Sequence, residues 1–131
     1  MEVLSKSQKE TQKIAFEYAK TLKKGDVVIL SGDLGAGKTA FTKGVAEYFG
    51  FDGVTSPTYA YLNVYGGFLY HYDCYRLSCG EDAERLGLTD YFGGDNVCII
   101  EWAENIEDVL PESVKEVKIL KTGENEIKII L

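Results

Sequence analysis

The sequence predicts an α/β fold, a mixed sheet flanked by helices, with antiparallel hairpins. Three observations predict it. Residues 27–30 and 97–100 are short, unbroken apolar runs, as strands buried on both faces are. Apolar residues recur at helical spacing between Ser7 and Leu22, and again after Lys38. Runs rich in aromatic and β-branched residues flank Gly66-Gly67, and the runs 114–120 and 126–131 flank Gly123-Glu124-Asn125 as a closing hairpin.

At 131 residues the chain is expected to form one domain, residues 1–131, with a core of its own. Fourteen basic residues against 21 acidic give a net charge of −7. Only Arg76 and Arg85 are arginines. Tight, direct binding of nucleic acid wants a basic face, so this chain alone is not expected to grip DNA or RNA. Cys74, Cys79 and Cys98 have no zinc-ligand spacing, and His71 is the only histidine. Free thiols in a reducing cytosol are expected. No stretch is long and apolar enough to span a bilayer and no signal peptide is seen, so the expected location is cytoplasmic.

Ser7 and Glu10 fit a capping box. Ile14, Ala15, Tyr18, Ala19 and Leu22 follow at helical spacing, giving an amphipathic helix of about four turns with Gly25 as its C′ residue. Thr11, near its start, is placed either as a surface polar residue or to line a base pocket, and the sequence alone favours the first. The apolar run 27–30 leads into Gly32, Asp33, Leu34, Gly35, Ala36, Gly37, Lys38 and Thr39, which match G-x-x-x-x-G-K-[ST], the phosphate-binding loop signature. Glycines let successive backbone N–H groups curl around an anion where a Cβ would obstruct them. Lys38 supplies a charge for the β- and γ-phosphates, and the Thr39 hydroxyl is placed to ligate Mg²⁺. The helix starting near Lys38 and continuing through Ala40 aims its positive end at the same phosphates. Its core candidates are Phe41, Val45, Tyr48 and Phe49, and Gly50 ends it.

Residues 59–65 and 68–75 read as a hairpin, with Leu69, His71 and Asp73 on one face and Phe68, Tyr70 and Tyr72 on the other. A short helix is expected over 81–88. The run 97–100 ends in Glu101, where a second metal-site carboxylate of a nucleotide hydrolase lies, because ligands of open α/β sheets gather at the carboxyl ends of strands. Asp73 stays open: it is placed to reach Mg²⁺ through a water, to act as base, or simply to pair with Arg76. Thr55, Ser56, Pro57 and Thr58 are most simply a proline turn entering a strand, though their hydroxyls are placed where a switch segment would sense a γ-phosphate. No guanine-reading N-K-x-D motif occurs, so ATP is the expected nucleotide.

Four motifs occur together in one order: GDLGAGKT at 32–39, SPTY at 56–59, HYDCYRL at 71–77 and IEWAE at 100–104. This set closely resembles the TsaE (YjeE) family of small bacterial P-loop ATPases, over nearly the whole chain. The resemblance implies a P-loop NTPase-like fold and a role in the threonylcarbamoyl modification of adenosine 37 in tRNAs reading ANN codons. It implies TsaD and TsaB homologues as partners, tRNA being met through that complex, and ATP hydrolysis that resets the assembly between turnovers. By position it implies Thr39 and Glu101 at Mg²⁺, Asp73 near the metal or attacking water, and Thr58 in a switch-like segment. Trp102 would lie beside the active site and Thr11 near the adenine. The chain departs from the family at Tyr59, where phenylalanine is common, and at Ala103, where proline is frequent. A small-metabolite kinase is the competing reading, and it lacks the arginine clamps such enzymes carry. A nucleotide-sensing switch without turnover is a third.

Overall fold

The computed structural model of the chain describes residues 1–32, 37–54 and 61–131. In chain order the elements are β1 (Glu2–Ser5), α1 (Gln8–Ala19), β2 (Val27–Gly32), α2 (Lys38–Tyr48), β3 (Leu62–Tyr65), β4 (Leu69–Asp73), α3 (Gly80–Arg85), β5 (Val97–Glu101), β6 (Lys115–Gly123) and β7 (Glu126–Ile130). Two 3₁₀ segments, Leu88–Tyr91 and Ala103–Val109, flank β5. The fold is mixed α/β, as the sequence predicts. Its described residues gather into two compact units, one drawn from 1–22, 31–56 and 116–131, the other from 23–30 and 57–115.

In the first unit β1 runs antiparallel to β7, with Glu2 opposite Ile130, and β7 runs antiparallel to β6. The closing hairpin is thus present, with a register shift between Lys121 and Gly123. Strand β1 has no counterpart among the sequence expectations: four residues carry too little alternation to announce a strand. Ser7 caps α1, accepting from the Glu10 N–H at 3.1 Å. The Glu10 carboxylate reaches back one residue further than the expected box, to the Lys6 N–H at 2.8 Å. The helix ends at Ala19, shorter than expected, because the N–H groups of Thr21 and Leu22 turn back to Tyr18 and Ala19 in tighter, three-residue steps. Gly25 is therefore not its C′ residue.

Helix α2 packs along α1. Gly44 permits close approach, and the Tyr18 and Phe41 rings meet at 5.7 Å between centroids. Phe41 and Val45 are buried as expected, but Tyr48 is 39% exposed and packs on Phe16 and Phe49 at the surface. Gly50 and Phe51 close the helix by donating to Glu47 and Ala46 carbonyls at 3.0 and 2.8 Å, the Schellman pattern.

In the second unit the strand order is β2-β5-β4-β3. Strands β2, β5 and β4 are parallel neighbours, and β3 and β4 form the expected hairpin across Gly66-Gly67. Its first strand was expected from residue 59; residues 59 and 60 lie outside those described. Tyr72, Cys98, Ile100, Val27, Ala83 and Ile106 lie at the centre of the core on one face. Helix α3 stops at Arg85, before the expected 88, and Leu88 begins the 3₁₀ segment instead. Among the described residues no helix is long and apolar enough to cross a membrane.

Candidate functional site

In the first unit, β2 ends at Gly32 and α2 begins at Lys38, so the G-x-x-x-x-G-K-T motif joins a strand to a helix. Asp33, Leu34, Gly35 and Ala36 lie outside the described residues, as do Thr55, Ser56, Pro57 and Thr58. The flanking glycines show why the motif needs them. A Cβ on Gly32 would run into the Ile119 backbone carbonyl. Gly37 caps α2 with φ +102, a left-handed conformation costly to other residues, and offers no side-chain hydrogen bond to the helix. Lys38 opens the first turn and is 8% exposed, a cation at the positive end of a helix. Thr39 is half-buried and Ala40 buried.

Beside this helix start lies a cavity of about 200 Å³, lined in part by Ser5, Ser7, Thr11, Gly37, Ala40 and Asn125. It is smaller than the roughly 300–1,000 Å³ of a full small-molecule site, and so suits part of a ligand. Thr11 is not the surface residue its sequence position suggested: it is 2% exposed, with Oγ1 2.7 Å from the Ser5 Oγ and 3.2 Å from the Ser7 carbonyl. The structure brings Thr11, Gly37 and Ala40 to one cavity.

In the second unit, parallel pairing sets Asp73 opposite Glu101, and Leu30 opposite Glu101 on its other side. Both carboxylates thus stand at the carboxyl ends of adjacent strands. Glu101 is 8% exposed, and its Oε2 lies 2.6 Å from Nε2 of the buried His71. The Asp73 carboxylate accepts from the Tyr75 N–H at 3.0 Å, while Arg76 lies over the Tyr61 ring at 4.8 Å. Among the described residues Asp73 makes no ion pair with Arg76, which removes the simplest structural account of it. Trp102 follows Glu101 with φ +60, the one described non-glycine residue at positive φ, and its ring meets Tyr75 edge-on at 4.9 Å. Asn105 donates to the Cys74 and Tyr75 carbonyls at 3.0 and 3.2 Å, fixing the chain that follows β4.

His71 and Asn105 are residues that sequence reasoning missed. The signal for His71 was present: it shares a face with Asp73 by strand alternation, so any carboxylate opposite Asp73 falls within its reach. Nothing in the local sequence marks Asn105, whose partners come from a different loop. Burial, then the Asp73 and Glu104 carboxylates, push the Cys74 thiol up to about 12. Among the described residues no group of three or more His, Cys, Asp and Glu is arranged to hold a metal.

A strand, the G-x-x-x-x-G-K-T motif and a helix in that order, with two strand-end carboxylates, define a mixed α/β protein of the kind the sequence predicts. The family described as threonylcarbamoyl adenosine biosynthesis protein TsaE matches residues 5–129. The chain belongs to the TsaE family. It is 45% identical over 124 residues to the tRNA threonylcarbamoyladenosine biosynthesis protein TsaE of Bacillus subtilis (strain 168), covering 92% of this chain and 77% of that relative. It is 39% identical over 134 residues to the protein of that name from Treponema pallidum (strain Nichols), covering 98% and 99%. The crystal structure of Bacillus subtilis YdiB matches with a TM-score of 0.80 and 39% identity, over 98% of this chain and 82% of that one.

Proposed function

We propose that this protein is a Mg²⁺-dependent ATPase serving the threonylcarbamoyl modification of adenosine 37 in tRNAs that read ANN codons. In this reading it works in the cytoplasm beside a TsaD–TsaB transferase complex, whose turnover its ATP hydrolysis supports. The observation that carries the proposal is the start of α2, where a side-chain-free Gly37 cap and Lys38 stand inside the motif in a chain of this family.

The residues fit the group. A helix start without a side-chain cap leaves its first N–H groups to an anion. Magnesium needs only one or two protein ligands when a triphosphate supplies others, so the lack of a metal-holding cluster among the described residues is no obstacle. Lys38 would hold the β- and γ-phosphates, and residues 32–37 would cradle them through backbone N–H groups. Thr39 and Glu101 would be the magnesium ligands. Asp73 would orient the attacking water or accept its proton. Thr11 would border the adenine, Thr58 would sense the γ-phosphate, and Trp102 would lie beside the reacting groups. Bound Mg²⁺ would neutralise charge developing on the phosphate oxygens.

The kinase reading loses ground on one observation: both arginines are engaged elsewhere, Arg76 over Tyr61 and Arg85 with Glu81 at 3.0 Å. The deciding experiment is reconstitution of tRNA threonylcarbamoylation from purified TsaD and TsaB homologues, with and without this protein, over many turnovers. Sustained modification is expected only in its presence, with ATP consumed. Equal yields without it would refute the role.

A further inference from the structure

His71 is the only histidine in the chain and is 0% exposed. Its Nε2 meets the Glu101 carboxylate at 2.6 Å. Its Nδ1 is buried and has no hydrogen-bond partner among the described residues. An imidazole with one stranded nitrogen is a costly way to fill space. Its neighbours in the same β4–β5 register, Leu69 and Ile99, fill theirs with apolar side chains. What distinguishes the histidine from such a residue is the bond that Nε2 makes. A carboxylate accepts, so Nε2 is the donor in this contact, while Nδ1 faces no partner among the described residues.

Glu101 stands where the commoner residue would be the shorter aspartate, so its side chain has one more bond to rotate about. With Oε2 held by the ring, one oxygen of the carboxylate is anchored against that rotation. We propose that His71 is a positioning residue: it orients Glu101 and thereby sets the affinity of the site for magnesium. The inference rests on the reading of Glu101 as a magnesium ligand and adds to it a partner lying behind the ligand.

Two measurements test it. In the free protein, the single histidine gives one imidazole set in ¹H–¹⁵N spectra. An Nε2–H resonance is expected, and Glu101→Ala should shift it or broaden it away. A ring protonated on Nδ1 alone would overturn the proposal. In the reconstituted complex, His71→Leu should raise the Mg²⁺ concentration for half-maximal hydrolysis roughly tenfold, with KM for ATP changed less than about twofold. His71→Gln, whose amide can donate from the Nε2 position, should recover most of that shift. If His71→Leu does not fold, the glutamine variant and the free-protein spectrum decide. Equal shifts in both variants, or none in either while Glu101→Ala does respond, would overturn this inference alone. No response in Glu101→Ala would overturn the metal reading and this inference with it.

Discussion

Gly44 of α2 lies so close to α1 that a Cβ on it would meet the Ala15 methyl at 2.6 Å and the Gln12 carbonyl oxygen closer still. In an open helix, Gly→Ala would stabilise by about 1 kcal/mol. Here the sign should reverse, because backbone cannot give way as a flexible side chain can. Gly44→Ala is expected to cost about 1–3 kcal/mol through overpacking, read as a lower urea midpoint. A gain in stability would contradict this helix contact.

Lys38 supplies the charge that faces the phosphates in the proposed site. Lys38→Ala removes a charge-assisted contact worth about 1.5–3 kcal/mol, a loss of roughly 10- to 100-fold in ATP affinity. Isothermal titration calorimetry measures it directly. Affinity within a factor of about two of the parent would sink the nucleotide assignment.

Glu101 is predicted to behave differently. In the proposed site it is a ligand to metal and water rather than to the base or phosphates, so it should matter more to turnover than to binding. Glu101→Ala is expected to lower kcat by at least about tenfold with partners present, while ATP binding falls far less. The same loss in both quantities would argue that Glu101 only supports the fold.

The cysteines give a prediction free of any ligand. Cys79 is exposed, whereas Cys74 and Cys98 are buried. Burial raises the Cys98 thiol from 9.0 to about 11, against a smaller lowering by its hydrogen bond with Tyr72. Iodoacetamide at neutral pH should therefore label the native chain at Cys79 alone, by peptide mass spectrometry. The unfolded thiol loses its proton near 9.0 and the native one near 11, so over that window the unfolded chain binds fewer protons. The contribution of Cys98 to stability is full below 9.0 and is lost as pH rises toward 11. Urea midpoints measured across this range should fall more steeply in the parent than in Cys98→Ala.

Trp102 is the only tryptophan, directly follows Glu101, and meets the exposed Tyr75 ring edge-on. Mg·ATP should change its emission, and the change should vanish in Lys38→Ala. An unaltered spectrum at saturating nucleotide would separate this ring from the reacting groups.

Much of this was legible because local chemistry dictated it. The runs 27–30 and 97–100 had to be buried strands, and Ser7 had to cap α1. Glu101 could be placed at a strand end from the apolar run before it. What was hidden depends on residues far apart in the chain. The burial of Thr11 needs Ser5 from β1, a strand too short to recognise. The His71–Glu101 bond spans 30 positions and exists only because β4 and β5 are parallel neighbours in a fixed register. Gly25 has positive φ for a reason no helix pattern shows: its N–H donates to the Asn96 carbonyl, a demand made by a loop far downstream rather than by α1.

The pairing of β1 with β7 also imposes an order in time. Met1 and Leu131 exchange backbone hydrogen bonds, and β1 pairs with β7, which lies more than a hundred residues further along the chain. On the ribosome, residues 23–30 and 57–115 emerge as a complete set while β1 still waits for its neighbour. Closing so long a loop is entropically slow. The unit carrying Lys38 therefore cannot complete its β1–β7 pairing until β7 has been made, whereas every residue of the other unit precedes β7 in the chain.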